Sequence, residues 1–177
     1  MPKMKRRIIS SVLAGALLFA PVLQVANAAV YTNGTATATF TVSLTLQANC
    51  TIAATPLNFG TNGVLATAIN QQTTLAVTCT NTTPYNVGLD GGNVTGSTVT
   101  ARLLAGTATG NTTTTVGFQL YQDAGRTTLW GNTQGTNTVA GTGTGAAQSI
   151  SVYGQVPAQA TPRPDLYQTT VTATVYF

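Results

Sequence analysis

Residues 35–50 read TATATFTVSLTLQANC and decide the fold class of this chain. Hydrophobic residues alternate with Thr or Ser until Gln47, so an extended chain would have one apolar face and one face rich in hydroxyl groups. This period of two residues predicts a long β-strand. A strand of about twelve residues would reach roughly 40 Å at about 3.3 Å per residue, more than one strand of a small domain usually needs. We therefore expect part of this strand to pair with another molecule.

The N-terminus has the pattern of a secretion signal. Four basic residues lie within the first seven positions, an apolar run follows over residues 8–23, and the small residues Ala26 and Ala28 complete a cleavage motif. We predict a signal peptide over residues 1–28, cleaved between Ala28 and Ala29, followed by export of the remaining chain. A permanent transmembrane helix is the weaker interpretation, because a proline and two serines interrupt the apolar run. We expect no integral membrane segment after cleavage.

Removal of the leader leaves a chain with almost no charge. Four of the seven basic residues lie in the leader, so residues 29–177 keep three Arg against three Asp, which cancel. A protein without a basic patch is poorly suited to bind phosphate groups or anionic lipid, so we expect no nucleic-acid partner.

The exported part contains few residues that could perform catalysis. It has no His, Lys or Glu, and Asp90 and Asp123 lie in turn-like sequences where local hydrogen bonds explain them. Ser and Thr are abundant, but no His is available to activate them. Residues 141–145 read GTGTG, yet they lack the Lys of a nucleotide loop and precede a strand pattern. We therefore predict no catalytic site, no metal site and no cofactor.

Both cysteines, Cys50 and Cys79, lie in the exported part. An oxidising compartment favours a disulfide between them, with two buried thiols as the alternative. The alternation over residues 73–80 places Cys79 on the inward face, toward Cys50. Closing a loop of 29 residues would restrict the unfolded chain by roughly 3 to 4 kcal/mol.

The composition favours strands over helices. Thr, Val, Gly and Asn are abundant, whereas Glu, Lys and Met are scarce, so we predict an all-β fold. Strand patterns bounded by turn signals recur about every ten residues, which is typical of a β-sandwich. After the opening stretch, the predicted strands cover residues 50–54, 57–60, 73–80, 85–89, 99–104, 116–121, 127–130, 149–156 and 166–177. The Gly- and Thr-rich runs at residues 106–115 and 131–145 are predicted to be loops.

Three aromatic residues could form a sugar-binding platform, namely Trp130, Tyr121 and Tyr153. Their alternation within predicted strands favours packing in or beside the core instead.

Four segments of the chain resemble the spore coat U domain family. They are ANCTI at residues 48–52, LAVTC at 75–79, LYQDAGRTTLWG at 120–131 and YQTTVTATVYF at 167–177. The pattern Tyr-x-Asp-Ala-x-x-Thr-x-x-Trp-Gly is the most specific of these, and the resemblance covers essentially the whole exported chain. The family includes the pilin subunits of archaic chaperone-usher pili.

The resemblance implies an immunoglobulin-like β-sandwich that lacks its last strand. In such subunits a periplasmic chaperone supplies the missing strand, and an outer-membrane usher exchanges it for the N-terminal extension of the next subunit, which produces a self-polymer. The implied organisation is an N-terminal donor extension over residues 29–46 and a pilin domain over residues 47–177. The implied donor residues are Ala38, Phe40, Val42, Leu44 and Leu46. The implied strand that pairs with the chaperone or the donor contains Val171, Ala173, Val175, Tyr176 and Phe177.

The leading functional hypothesis is a structural subunit of a surface pilus that supports attachment and biofilm formation. One alternative is a protective coat protein of spores or cells with the same fold. A second alternative is a small outer-membrane β-barrel, because the chain ends on Phe177 after alternating apolar residues. Against the barrel stand the expected disulfide, the few aromatic residues and the short strands interrupted by Gly and Pro.

Overall fold

The computed structural model describes residues 33–177. Contacts between residues divide the chain into two units, Met1–Ser43 and Leu44–Phe177. The predicted signal peptide and its cleavage site between Ala28 and Ala29 lie outside the described residues. Within residues 33–177, the structure contains no helical segment with the length and hydrophobicity that crossing a bilayer would require.

The second unit is a sandwich of two open β-sheets, which confirms the predicted all-β class. Its larger sheet has six strands in the order β1-β2-β7-β5-β4-β8, and its smaller sheet has three strands in the order β6-β3-β9. All paired strands in this part of the chain are antiparallel. The strands are β1 Cys50–Ala54, β2 Ile69–Cys79, β3 Pro84–Leu89, β4 Arg102–Gly106, β5 Thr115–Tyr121, β6 Val139–Thr142, β7 Ala147–Val156, β8 Tyr167–Gln168 and β9 Ala173–Tyr176.

The core lies between the two sheets and follows the period of two residues. In β5 the buried positions alternate with half-buried or exposed ones, and the same alternation holds along the second half of β2. Side chains from both sheets join one buried cluster, which includes Leu75, Val77, Val87, Leu89, Val116, Phe118, Leu120, Trp130 and Val152.

The predicted disulfide is present. Cys50 and Cys79 face each other in the β1–β2 register, and their sulfur atoms are bonded. The bond therefore fixes the start of the domain to the second strand of the larger sheet.

Trp130 is completely buried, so it cannot act as a platform for a sugar. Its Nε1–H donates a hydrogen bond of 2.8 Å to the carbonyl oxygen of Val87 on β3. The main chain of Trp130 also bonds to Leu120 on β5 at 2.9 Å. This residue therefore connects the two sheets, and core packing is the correct interpretation of its position in the sequence.

Arg102 is a second link between the sheets. It starts β4, is 1% exposed, and donates hydrogen bonds to the carbonyl oxygens of Leu89 at 2.9 Å, Asp90 at 2.8 Å and Trp130 at 2.7 Å. Burial lowers the pKa of Arg102 to about 10, and the nearby Asp90 carboxylate partly offsets this effect. The guanidinium therefore stays charged at neutral pH and holds the end of β3 against the larger sheet.

Residues 33–49 belong to no strand, which corrects the long strand predicted over residues 35–50. An alternating sequence specifies the two faces of a strand, but a strand also needs a partner with which to exchange hydrogen bonds. Only its last residue, Cys50, is paired, because it begins β1. Gln47 and Asn49 bond to Thr80, but residues 35–49 join no ladder within the part of the chain that the structure describes.

The C-terminal strand predicted over residues 166–177 is divided. β8 joins the larger sheet and β9 joins the smaller one. Side chains still alternate between half-buried and exposed positions from residue 166 to residue 175. The chain therefore remains extended while it crosses from one sheet to the other.

Three smaller predictions were also wrong. Residues 57–60 form no strand, and residues 127–130 return to β5 only through one bridge between Tyr121 and Leu129. The Gly-rich run at 131–145, predicted to be a loop, contains β6. A Cβ on Gly141 would lie 2.4 Å from the ring of Tyr85, so glycine is needed there for close packing, and its presence concealed the strand.

We expect Arg102→Lys to lower the free energy of unfolding by about 2 to 4 kcal/mol, because one ammonium group cannot reach the carbonyls that the guanidinium now pairs. Urea denaturation followed by tryptophan fluorescence would measure the loss. Arg163→Lys is the matched control, since Arg163 is exposed and makes one bond of 3.5 Å to Thr109. The control should stay within about 0.5 kcal/mol of the parent, and equal losses in both variants would contradict the proposed link.

Candidate functional site: an open apolar groove and an exposed apolar extension

An apolar groove of about 910 Å³ opens on one side of the sandwich. One wall consists of residues between Ala54 and Leu65, and the other consists of residues between Thr161 and Ala173. Core side chains form its floor, among them Leu75, Val116, Phe118, Leu120, Val152 and Val156. The groove therefore leads directly to the hydrophobic core.

The first wall contains two residues whose role the sequence did not reveal, Leu57 and Phe59. The ring of Phe59 packs edge-to-face on Phe118, with the ring centroids 6.3 Å apart. A Cβ on Gly154 of β7 would lie 2.4 Å from Leu57 and 3.0 Å from Phe59, so the glycine allows both side chains to approach the larger sheet. The alternation of Leu57 and Phe59 predicted a short strand. In the structure both residues line the groove, and they pair with no other strand.

The second wall ends in β9, which is an edge strand. It pairs with β3 on one side only. Thr172 bonds to Asp90, and Thr174 and Tyr176 continue the same alternating pairs along β3. In an antiparallel pair the residues in between direct their N–H and C=O groups away from the partner. The intervening residues are Val171, Ala173 and Val175.

The predicted pairing residues therefore divide into two groups. Val171, Ala173 and Val175 have half-buried side chains that pack against the core cluster, and their backbone faces the open edge. Tyr176 points to the other side, where its hydroxyl donates a bond of 3.3 Å to the carbonyl oxygen of Asn132. Phe177 is 58% exposed at the end of the chain.

The predicted donor residues are all exposed. Phe40, Val42, Leu44 and Leu46 are between 77% and 86% exposed, and Ala38 is exposed as well. The carbonyl oxygen of Asn49, at the base of this segment, accepts the backbone N–H of Thr80 at 2.9 Å, and the N–H of Asn49 donates to the Thr80 hydroxyl at 2.7 Å. Among the described residues, the other large exposed hydrophobic side chains are Val64, Leu166 and Phe177, of which the first two line the groove. Exposed apolar surface is thus concentrated at the extension, the groove and the C-terminus, which is typical of interaction surfaces.

The charged groups near the groove hold loops together. Asp165 accepts hydrogen bonds from the Asn111 side chain at 2.6 Å and from the backbone N–H groups of Ala108 and Leu166. The bond from Asn111, followed by the bond from Ala108, lowers the pKa of Asp165. Asp123 lies elsewhere, in the predicted turn, and the backbone N–H of Thr128 lowers its pKa in the same way.

No group of three or more metal-ligating side chains occurs within residues 33–177. The groove and the open backbone edge are suited to the burial of apolar side chains and to pairing with another strand.

These features define a β-sandwich of the immunoglobulin-like type with an open edge beside an apolar groove. The sequence profile of the Spore Coat Protein U domain matches residues 36–174, and the chain belongs to that family. No curated protein matches the chain.

One solved structure with a similar fold is the crystal structure of the CsuC-CsuE chaperone-tip adhesion subunit pre-assembly complex, from archaic chaperone-usher Csu pili of Acinetobacter baumannii. The TM-score is 0.54 and the sequence identity is 22%. The match covers 75% of this chain and 40% of the matched chain in that complex. This chain therefore spans less than half the length of its solved neighbour.

The stability that Asp165 contributes should depend on pH. Its folded pKa is below the unfolded value, so the contribution is complete above about pH 4 and is lost as the pH falls through the folded pKa. At neutral pH we expect the wild type to have a higher urea midpoint than Asp165→Asn. The two midpoints should converge as the pH falls through the folded pKa of Asp165. A difference that stays constant over this range would show that ionisation of Asp165 is not involved.

Proposed function

We propose that this protein is a structural subunit of a surface pilus that polymerises by donor-strand exchange. The observation that carries the proposal is that one chain contains both an apolar groove with an open backbone edge and an exposed apolar extension. Membership of the Spore Coat Protein U domain family and the fold shared with the Csu complex support it. In this proposal the extension of one subunit fills the groove of the next.

The donor and acceptor have complementary chemistry. Ala38 to Leu46 would span roughly 26 Å as a strand, with every second side chain pointing into the groove. Burial of Phe40, Val42, Leu44 and Leu46 would contribute roughly 6 to 12 kcal/mol before the loss of chain entropy. The donor backbone would pair with the free N–H and C=O groups of the acceptor edge. Residues 29–46 are therefore the proposed extension, and residues 47–177 the proposed domain.

An empty groove with an open edge is prone to aggregation, so the subunit needs a temporary partner before assembly. We propose that a periplasmic chaperone supplies a strand to this groove and that an outer-membrane usher replaces it with the next subunit's extension. The solved neighbour is itself a complex of a chaperone with a tip adhesion subunit, which supports this route. Periplasmic transit and a final location at the cell surface follow from it.

We further propose that the role is structural and not enzymatic, and that the resulting fibre supports attachment and biofilm formation. A protective coat made from the same subunit is the second candidate, which the family description favours. Electron microscopy of sheared surface material separates the two, because thin fibres support the pilus and an amorphous layer supports the coat.

Changing Phe40 and Leu44 to Asp should abolish polymers, because two charges would enter the apolar groove of the neighbouring subunit. Thr41→Asp with Ser43→Asp is the matched control, since it puts the same charges on the opposite face of the same segment. An unboiled gel of sheared surface protein should show a ladder for the control and none for the first variant. Both variants should retain the chaperone, and a normal ladder from the first variant would disprove donor-strand exchange through these residues.

Ala173→Pro tests the acceptor side. The N–H of Ala173 faces the open edge, so proline should leave the pairing of β9 with β3 intact while it blocks an incoming strand. We expect this variant to lose both the polymer and the co-purified chaperone, whereas Ala173→Val retains both. The proposed acceptor edge would be wrong if Ala173→Pro still formed a ladder.

A further inference from the structure

Between β8 and β9, residues 169–172 form hydrogen bonds with the side chains of Asp90 and Asn93, where a β-ladder would use backbone carbonyls. Asp90 donates its N–H to the carbonyl oxygen of Thr172 at 3.1 Å, and its Oδ1 accepts the N–H of Thr172 at 2.9 Å. Asn93 repeats this arrangement with Thr170, again at 3.1 Å and 2.9 Å. The Oδ1 of Asn93 also accepts the hydroxyl of Thr169 at 3.0 Å.

This pattern differs from a regular antiparallel pair, in which a backbone carbonyl accepts the second bond. Because Oδ1 replaces it, the carbonyl oxygen of Asp90 is free to accept the Nε–H of Arg102 at 2.8 Å. The same Oδ1 accepts the N–H of Gly92 at 2.9 Å, which lets the chain turn directly after β3. Gly92 has a φ of +89°, and a Cβ there would lie 2.7 Å from the Thr169 hydroxyl, so this turn fits closely against the edge segment.

The edge segment has little packing behind it. Residues 168–170 border the apolar groove on one side and a second cleft of about 780 Å³ on the other. Thr side chains and Asn93 line much of this second cleft. Val171 packs against the core cluster, whereas Thr169, Thr170 and Thr172 are held by their hydrogen bonds to Asp90 and Asn93.

We propose that Asp90 and Asn93 are positioning residues for strand capture, an inference that rests on the proposed donor-strand exchange. Neither residue is a donor or a groove-lining side chain. They fix Thr170 and Thr172, and thereby hold Val171 between them with its N–H and C=O directed toward the incoming strand. Loss of either Oδ1 acceptor frees residues 170–172 from one of their hydrogen bonds. An incoming strand must then order these residues as it binds, and the lost conformational entropy weakens binding.

The test uses the full exported chain with Phe40→Asp and Leu44→Asp as the recipient, kept dilute and monomeric to prevent aggregation of its open groove, because its groove remains intact while it cannot act as a donor. A fluorescent peptide of residues 35–49 serves as the donor, and anisotropy gives its Kd. We expect Asp90→Ala and Asn93→Ala in this recipient each to raise the Kd about tenfold. Asp90→Asn retains Oδ1 and should stay within about twofold of the recipient.

A control variant separates positioning from general stability. Val139→Ala lies on β6, the opposite edge of the smaller sheet, and should lower stability without changing the Kd. Asn93 is exposed, so we expect Asn93→Ala to remove the Oδ1 acceptor with little loss of global stability.

The outcomes distinguish this inference from the function on which it rests. If the peptide fails to bind the recipient, both the proposed function and the positioning role are overturned. If the recipient binds but Asp90→Ala and Asn93→Ala leave the Kd unchanged, only the positioning role is overturned. Equal weakening by Asp90→Asn and Asp90→Ala, or by Val139→Ala, would also overturn it.

Discussion

The N–H and C=O groups of Val171, Ala173 and Val175 face an edge that no strand covers within residues 33–177. Unpaired backbone beside apolar surface is a template for another strand. The strand that fits must bring hydrogen bonds to the edge and alternating apolar side chains to the groove. Residues 38–46 have that alternation, and the structure leaves them exposed. The unpaired backbone and the open apolar surface together explain why the proposed assembly uses residues 38–46 of one subunit and residues 171–175 of another.

A sandwich with an open edge needs other means of holding its sheets together. Two links join the sheets, because Trp130 donates to β3 from the loop after β5 and Arg102 joins β4 to the end of β3. The disulfide fixes β1 to β2 within the larger sheet. These links lie away from the open edge or at its base. Arg102, Asp123 and Asp165 are likewise used in internal hydrogen bonds.

Local patterns predicted many of the strands but not their partners. The strands around Val77, Val87, Phe118 and Val152 were correct because each alternates over several residues beside clear turn signals. β6 was missed because Gly141, required by the packed ring of Tyr85, looks like a loop residue in the sequence. The groove wall at Leu57 and Phe59 was mistaken for a strand, since two alternating apolar residues do not show whether a ladder forms.

The sequence by itself determined the all-β class, the disulfide and which residues share a face along residues 166–175. These properties depend on neighbours in the chain and on the types of residue present. Only the tertiary structure decided that the last segment crosses between sheets, that Asp90 and Asn93 hold it, and that Val171, Ala173 and Val175 keep an open edge. The physical reason is that hydrogen-bond partners in a sheet are distant in sequence, so a period of two residues specifies the side-chain faces of a strand but not what lies beside it.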